Sequence, residues 1–334
     1  MKPATINHHH QYKENSVKNI TTLDSFPKIK GYDFEKPFDI SEFLKAYSST
    51  GFQATELGKA IEIVKAMRRE KATIFFSFTS NMATSGIRDI ITYLVKHKMV
   101  DVIVTTAGGI EEDIIKCLKP FVVGDFAAKG EILFDEGVNR TGNIFVPNDR
   151  YLYFEKFINP FLDRLFQQCQ KNGTVLTSNT LIRELGLEIN NEESFLYWAA
   201  KNDIPVFCPG ITDGSLGDLL YFFKNRQSAF LLDVTQDMQK MVNLTMNAEK
   251  TGCIILGGGI AKHYTLNAQI FREGCDYAVY INSASEFDGS DSGARPDEAV
   301  SWGKIKPNAL SAKVVGDATI LFPLLVAGVT NSEK

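Results

Sequence analysis

Short uninterrupted apolar runs alternate along this chain with segments of helical period, and that alternation restricts the fold more than any single motif does. Thr73–Phe78 (TIFFSF), Asp101–Thr106 (DVIVTT), Ile204–Gly210 (IPVFCPG), Ala229–Asp233 (AFLLD), Cys253–Gly259 (CIILGGG) and Tyr277–Asn282 (YAVYIN) are the runs. They lack the strict apolar-polar alternation of a sheet with one wet face, so they read as strands buried on both sides. Between them lie helix-like segments: Met82–Lys98 with Ile87, Ile90, Ile91, Leu94 and Val95 on one side, Glu111–Leu118, Ser215–Phe223, a segment ending near Glu249, and Lys262–Arg272. Strand, turn and helix in repetition predict an α/β fold, a doubly wound and mostly parallel sheet of six strands covered by helices on both faces.

The flanks are less regular. Residues 1–35 are polar and read as an N-terminal arm, and 36–334 as one domain, since no Pro/Ser-rich linker, repeat or low-complexity segment divides them. Asp39 or Ser41 is placed to cap a helical pattern in which Leu57, Ile61, Val64 and Met67 share one face. Gly124–Asn148 reads as a loop or small hairpin excursion, followed by helices over Tyr151–Gln170 and Glu192–Lys201.

Composition removes several function classes. A net charge of −4 over 334 residues carries no basic footprint for nucleic acid. The five cysteines are scattered and never in CxxC spacing, as expected of small buried residues in a reducing compartment. His8, His9 and His10 cluster in the polar N-terminus, leaving His97 and His263 in the body, so no metal site is expected. The longest apolar stretch, Thr319–Val329, is too short for a membrane span and contains Pro323. The N-terminus lacks a secretory apolar core, and the expected location is cytoplasmic.

In an open parallel sheet ligands bind beyond the carboxyl ends of the strands. The residues there are Thr79-Ser80-Asn81, Thr106-Ala107-Gly108-Gly109, Thr212-Asp213-Gly214-Ser215, Gly257-Gly258-Gly259 and Asn282-Ser283-Ala284. Small and glycine-rich turns let a backbone approach a phosphate or ribose, and the helix that follows offers N–H donors. The GxGxxG fingerprint is absent, so a dinucleotide would bind by a variant arrangement. Glu111 and Glu112 open a helix, where carboxylates are favoured in any case. Asp213 and Asp218 could be a turn former and a helix-face charge, His263 a satisfied half-buried histidine, and Trp302 core packing.

Glu286–Lys304 (EFDGSDSGARPDEAVSWGK) gathers Glu286, Asp288, Asp291, Asp297 and Glu298 with three glycines, Trp302 and Lys304. Read blandly it is a solvated acidic loop and a short capped helix. Read chemically, carboxylates with an indole wall form a receptacle for a polyamine, and a neutral lysine there is a nucleophile. Pro296 suits the first helical turn, with Glu298 and Trp302 at i and i+4, Gly303 ending the helix and Lys304 just beyond it.

The segments TSNMATSGIRDIITYLVKHKMVDVIVTTAGGIEEDIIKCL, PVFCPGITDGSLGD, IILGGGIAKHYTLNA, YAVYINSASEFDGSDSGARPDEAVSWGKI and GDATILFPLLVA resemble the deoxyhypusine synthase family over nearly the whole chain. GYDF and TGFQATELGKAI add to the likeness. The resemblance implies a cytoplasmic homotetramer, a dimer of dimers with active sites at subunit interfaces and residues drawn partly from different chains. It also implies NAD as cofactor, spermidine as aminobutyl donor and the translation initiation factor 5A precursor as acceptor. By motif matching, Lys304 is the lysine that carries the butylamine unit as an imine, and His263 is the proton acceptor. The amine would meet Glu111, Glu112, Asp218, His263, Gly289, Ser290, Asp291, Glu298 and Trp302. The dinucleotide would meet Ser80, Asn81, Met82, Ala83, Thr84, Thr106, Ala107, Gly108, Glu112, Asp213, Gly258, Ser283, Ala284, Asp317 and Ala318.

Lys304 must be neutral to attack; the neighbouring indole favours this and the carboxylates oppose it. The segment between Arg69 and Thr73 is short beside family members that carry an insertion there, and the arm differs from the segment that covers the site mouth in some relatives. Three rival readings stand beside this one: within the same fold, a homospermidine synthase with putrescine as acceptor; of a different class, a non-catalytic regulatory paralogue subunit; and a plain NAD-dependent amine dehydrogenase. Regulatory paralogues tend to lose the lysine and its acidic neighbours, which this chain retains.

Overall fold

The computed structural model describes residues 26–331. Residues 1–25, which include His8, His9, His10 and most of the expected arm, and residues 332–334 lie outside the described residues. The chain runs through α1 (Ile40–Thr50), α2 (Phe52–Arg69), β1 (Thr73–Phe78), α3 (Ser80–Thr84), α4 (Ile87–Lys96), β2 (Val102–Thr105) and α5 (Ala107–Leu118). An excursion follows, with β3 (Val122–Val123), α6 (Gly130–Asp135), β4 (Val138–Thr141) and β5 (Ile144–Pro147). Next come α7 (Asp149–Asn172), α8 (Ser178–Ile189) and α9 (Phe195–Lys201). The alternation resumes as β6 (Val206–Phe207), α10 (Ser215–Arg226), α11 (Val234–Asn247), β7 (Thr251–Leu256), α12 (Gly259–Gln269), β8 (Cys275–Asn282), α13 (Pro296–Ser301), β9 (Ile305–Val315) and α14 (Ala318–Thr330).

The six-stranded sheet has the order β6-β2-β1-β7-β8-β9, and every neighbouring pair in it is parallel. The two faces feed separate apolar clusters. Ile74, Phe76, Phe78, Ile254, Leu256, Val279 and Ile281 face a cluster shared with α2, α4, α5 and α14. Phe75, Cys253, Ile255, Ala278 and Tyr280 face one shared with α11 and α12. Burial on both faces is why these strands read as continuous runs, and each fully buried Phe contributes roughly 2–3 kcal/mol of transfer free energy. Phe76 stacks on Phe322, their rings 5.6 Å apart, which locks α14 onto the central strand.

Of the expected strands, Ala229–Asp233 is not one. Leu232 makes only an isolated parallel bridge to Leu176, and Asp233 is already the cap of α11, accepting from the Thr235 and Gln236 N–H groups. The sixth strand is instead β9. Its sequence, IKPNALSAKVV, looks unlike a buried strand because it is a sheet edge, and Pro307 falls in a register irregularity where the pairing jumps from Cys275↔Ile305 to Tyr277↔Leu310. The Gly124–Asn148 excursion supplies β4 and β5, which with β3 just before it form a three-stranded antiparallel sheet, β3-β5-β4, with α6 inserted.

Helices also divide where sequence periodicity runs on. Gly51 at φ 97° and Phe52 at φ 48° separate α1 from α2, and Ser85-Gly86 separate α3 from α4. Asp39, rather than Ser41, caps α1, accepting from Glu42 N at 2.8 Å. The described end of the arm does pack: Tyr32, Phe34 and Phe38 gather on Phe43 of α1, and Asp39 N donates to the Tyr32 hydroxyl. Helix α8 has no counterpart in the sequence reading; Thr177 and Thr180 form its capping box.

Candidate active site

Strand order locates the crevice. From β1 the chain winds outward through β2 to β6, then returns to lay β7 on the other flank of β1, so the winding reverses between β1 and β7. Beyond that point lie the turns at Thr79-Ser80 and Gly257–Gly259. They touch: Thr79 N donates to Leu256 O, and a Cβ on Gly257, at φ 84°, would sit 2.5 Å from Thr79 Oγ1. This is where an open α/β sheet binds a dinucleotide, and the order is that of the dinucleotide fold despite the missing fingerprint.

The residues present fit such a group. Helices α3 and α5 begin side by side, with Ser80 N donating to Thr106 Oγ1 at 3.1 Å, and a Cβ on Gly108 would meet Ser80 Cβ at 2.7 Å. Across the crevice, Ala284 N donates to Asn282 Oδ1, Gly316 N to Asn282 O, and Asp317 caps α14. Ser80–Thr84, Thr106–Gly108, Gly258, Ser283, Ala284, Asp317 and Ala318 thus all follow sheet strands at one edge.

Glu111, Glu112, Asp213 and Asp218 form a second group on the β2 and β6 side. Glu111 is buried and accepts from Leu216 N at 2.8 Å, its proton affinity raised by burial and by Asp218 and Asp213 nearby. Glu112 accepts from the Thr84 hydroxyl, and burial, outweighing that bond, pushes it up to about 7. One helical turn on, Lys116 donates to the carbonyls of Ala83, Thr84 and Ser85.

The third group is a cavity of about 170 Å³ whose walls include His263, Gly289, Asp291, Glu298, Trp302 and Lys304. Pro296 opens α13 at its first position, Trp302 caps it, and Gly303 at φ 69° turns the chain so that Lys304 N bonds back to Ala299 O. Lys304 is buried at 8 % exposure while Trp302 is 66 % exposed, so the indole is a wall facing solvent and core packing is excluded for it. Asp291 Oδ2 is buried and has no hydrogen-bond partner among the described residues, which suits a carboxylate kept for a cation. His263 is exposed on α12.

Ser290 lies beside the cavity in the same loop, its N–H bonded to Asp288 Oδ1. Glu111, Glu112 and Asp218 do not line the cavity; strands β1 and β7 separate their side of the sheet from β8 and β9. Lys262, Ala294 and Arg295 line it as well, beyond the residues the sequence motifs single out. For Lys262 a signal existed: a lysine on the face that α12 buries with Ala261, Thr265 and Leu266. Among the described residues no cluster of His, Cys, Asp or Glu could hold a metal ion, and no helix is long and apolar enough to cross a membrane.

The deoxyhypusine synthase family model matches residues 42–329. Deoxyhypusine synthase from Senecio vernalis is 54% identical over 326 residues, covering 90% of this chain and 88% of its own. The enzyme of the same name from Kluyveromyces lactis is 45% identical, with 95% of each chain covered. Among solved structures, a candidate deoxyhypusine synthase from Entamoeba histolytica superposes with a TM-score of 0.68 at 32% identity, over 92% of this chain and 98% of that one.

Proposed function

The chain belongs to the deoxyhypusine synthase family, and we propose that it transfers the 4-aminobutyl group of spermidine, with NAD, to one lysine of the translation initiation factor 5A precursor. The observation that carries this reading is the convergence of Lys304, Trp302, Glu298, Asp291 and His263 on one cavity. A polyamine is matched along its length by Asp291 and Glu298, and the Trp302 face adds attraction for an ammonium.

Ser80–Thr84, Thr106–Gly108, Glu112, Asp213, Gly258, Ser283, Ala284, Asp317 and Ala318 would hold NAD, which would accept a hydride from the donor amine and later return it. His263 takes the proton released as the secondary amine of spermidine becomes an imine. The neutral Lys304 amine adds to that carbon, the bond to the 1,3-diaminopropane nitrogen breaks, and Lys304 is left bearing the butylamine unit as its own imine. The acceptor lysine displaces Lys304, and reduction of the new imine completes deoxyhypusine. Glu112, with a pKa near 7 beside the crevice, can hold or yield a proton at working pH.

The residues expected to meet the amine fall in two groups, Glu111, Glu112 and Asp218 on the elements that follow β2 and β6, and the cavity residues on α12, α13 and the loop after β8. That separation supports a homotetramer, a dimer of dimers, in which Glu111, Glu112, Asp213 and Asp218 of one subunit complete the cavity of another. We assign the whole of 36–334 to one catalytic domain and the cytoplasm as its compartment.

The test is incubation with NAD and labelled spermidine, offering either the factor 5A precursor or putrescine. Label on a precursor lysine is expected. Label found only in homospermidine would replace this reading with a homospermidine synthase, and NADH accumulating with no covalent adduct would replace it with an amine dehydrogenase.

A further inference from the structure

The loop between β8 and α13 folds back on itself: a Cβ on Gly293 would lie 1.5 Å from Ser285 O, so the two ends of the loop are in contact. Inside, its backbone finds few partners of its own, namely Ser290 N with Asp288 Oδ1, Gly293 N with Ser290 O, and Phe287 N with Ser285 Oγ. Four carbonyls turn instead toward two lysines from different elements. Lys262 of α12 donates to Asp291 O and to Ala294 O at 3.1 Å. Lys313 of β9 donates to Gly293 O and to Ala284 O at 3.4 Å.

Neither ammonium has an ion-pair partner among the described residues within salt-bridge distance. Lys262 is 1 % exposed, and its Nζ also lies 4.7 Å from the centre of the Tyr280 ring. Burial pushes Lys262 down to about 8, with the charges of Asp291, Glu298, Lys313 and Lys304 also acting on it. Burying an ammonium is costly, and here the bonds to the loop carbonyls offset that cost only while the loop keeps this shape. That loop presents Gly289, Ser290 and the unpartnered Asp291 carboxylate.

We propose that Lys262 and Lys313 are positioning residues, a two-point ammonium clamp that holds the Ala284–Ala294 loop in the shape that receives the polyamine. The clamp is a claim about the loop, and its effect on polyamine binding rests on the function proposed above. Lys262→Met and Lys313→Met each remove an ammonium at nearly constant side-chain volume.

Hydrogen exchange followed by mass spectrometry reads the clamp directly: amides of 284–294 should exchange at least tenfold faster in each variant, while those of α3 and α5 keep their rates. The KM for spermidine should rise at least tenfold, with NAD affinity unchanged within twofold. Unchanged exchange in the loop would overturn the clamp whether or not the enzyme uses spermidine. A fall in kcat at unchanged spermidine KM would also overturn it, because Lys262 would then act in the chemistry. If Lys262→Met does not fold, the more exposed Lys313→Met decides. Absence of any spermidine-dependent turnover in the unmodified enzyme would count against the proposed function alone, and the exchange result would stand.

Discussion

The Nζ atom of Lys304 lies 5.8 Å from the centre of the Trp302 ring, the lysine buried and the indole exposed. An amine and an aromatic face are thus held on one wall of the cavity by a single turn at Gly303. Borohydride trapping with spermidine and NAD should place a butylamine adduct on Lys304, read by peptide mapping; an adduct elsewhere would remove Lys304 from its role. Lys304 is buried, so Lys304→Met, which keeps the volume, is the variant expected to lose transfer with the fold intact.

Trp302→Ala should leave the melting temperature within about 2 °C, since an exposed side chain gives up little burial. Loss of a solvent-exposed cation–π contact of about 0.5–1 kcal/mol should raise the spermidine KM by roughly 2- to 5-fold. Steady-state kinetics at saturating NAD separates this from any effect on kcat.

Glu112 makes a pH prediction. Its folded pKa of about 7 lies above the ordinary 4.5, so between those values the native state binds more protons than the unfolded chain. Stability contributed by this group therefore falls as pH rises from about 4.5 to 7, by up to about 3 kcal/mol. Glu112→Gln should flatten that part of the stability profile, measured by urea unfolding of the NAD-free protein across the window. An unchanged slope would show that the carboxyl is ionised in the folded state.

Asp113 is buried at the back of α5, one residue past Glu112. It accepts from Arg88 Nε at 2.7 Å, from the Ser194 hydroxyl, and from the N–H groups of Phe195 and Leu196. Asp113→Ala leaves a buried guanidinium without its ion-pair partner and the Phe195 and Leu196 N–H groups without their acceptor, and should cost about 3–5 kcal/mol in denaturant unfolding. A cost under about 1 kcal/mol would mean that Arg88 finds another partner.

Gly108→Ala would drive a Cβ to 2.7 Å from Ser80 Cβ and separate the starts of α3 and α5. NAD affinity, by titration calorimetry, should fall at least tenfold with spermidine trapping lost in parallel. Retained affinity would place the dinucleotide elsewhere.

The sequence by itself determined the fold class, because strands buried on both faces leave continuous apolar runs, as at Thr73–Phe78 and Tyr277–Asn282. It also carried the short helix at Pro296, the turn at Gly303 and the family motif, all of them local in the chain. It could not reveal β9, whose edge position lets polar residues and Pro307 stand in a strand, nor reject Ala229–Asp233, whose strand-like composition meets only one partner. Only the tertiary structure decided that Lys304 is buried, that Glu111 and Glu112 stand on the far side of β1 and β7 from the cavity, and that Lys262 and Lys313 reach the same loop. Those facts depend on strand order and on contacts between residues distant in sequence, and no local pattern encodes them.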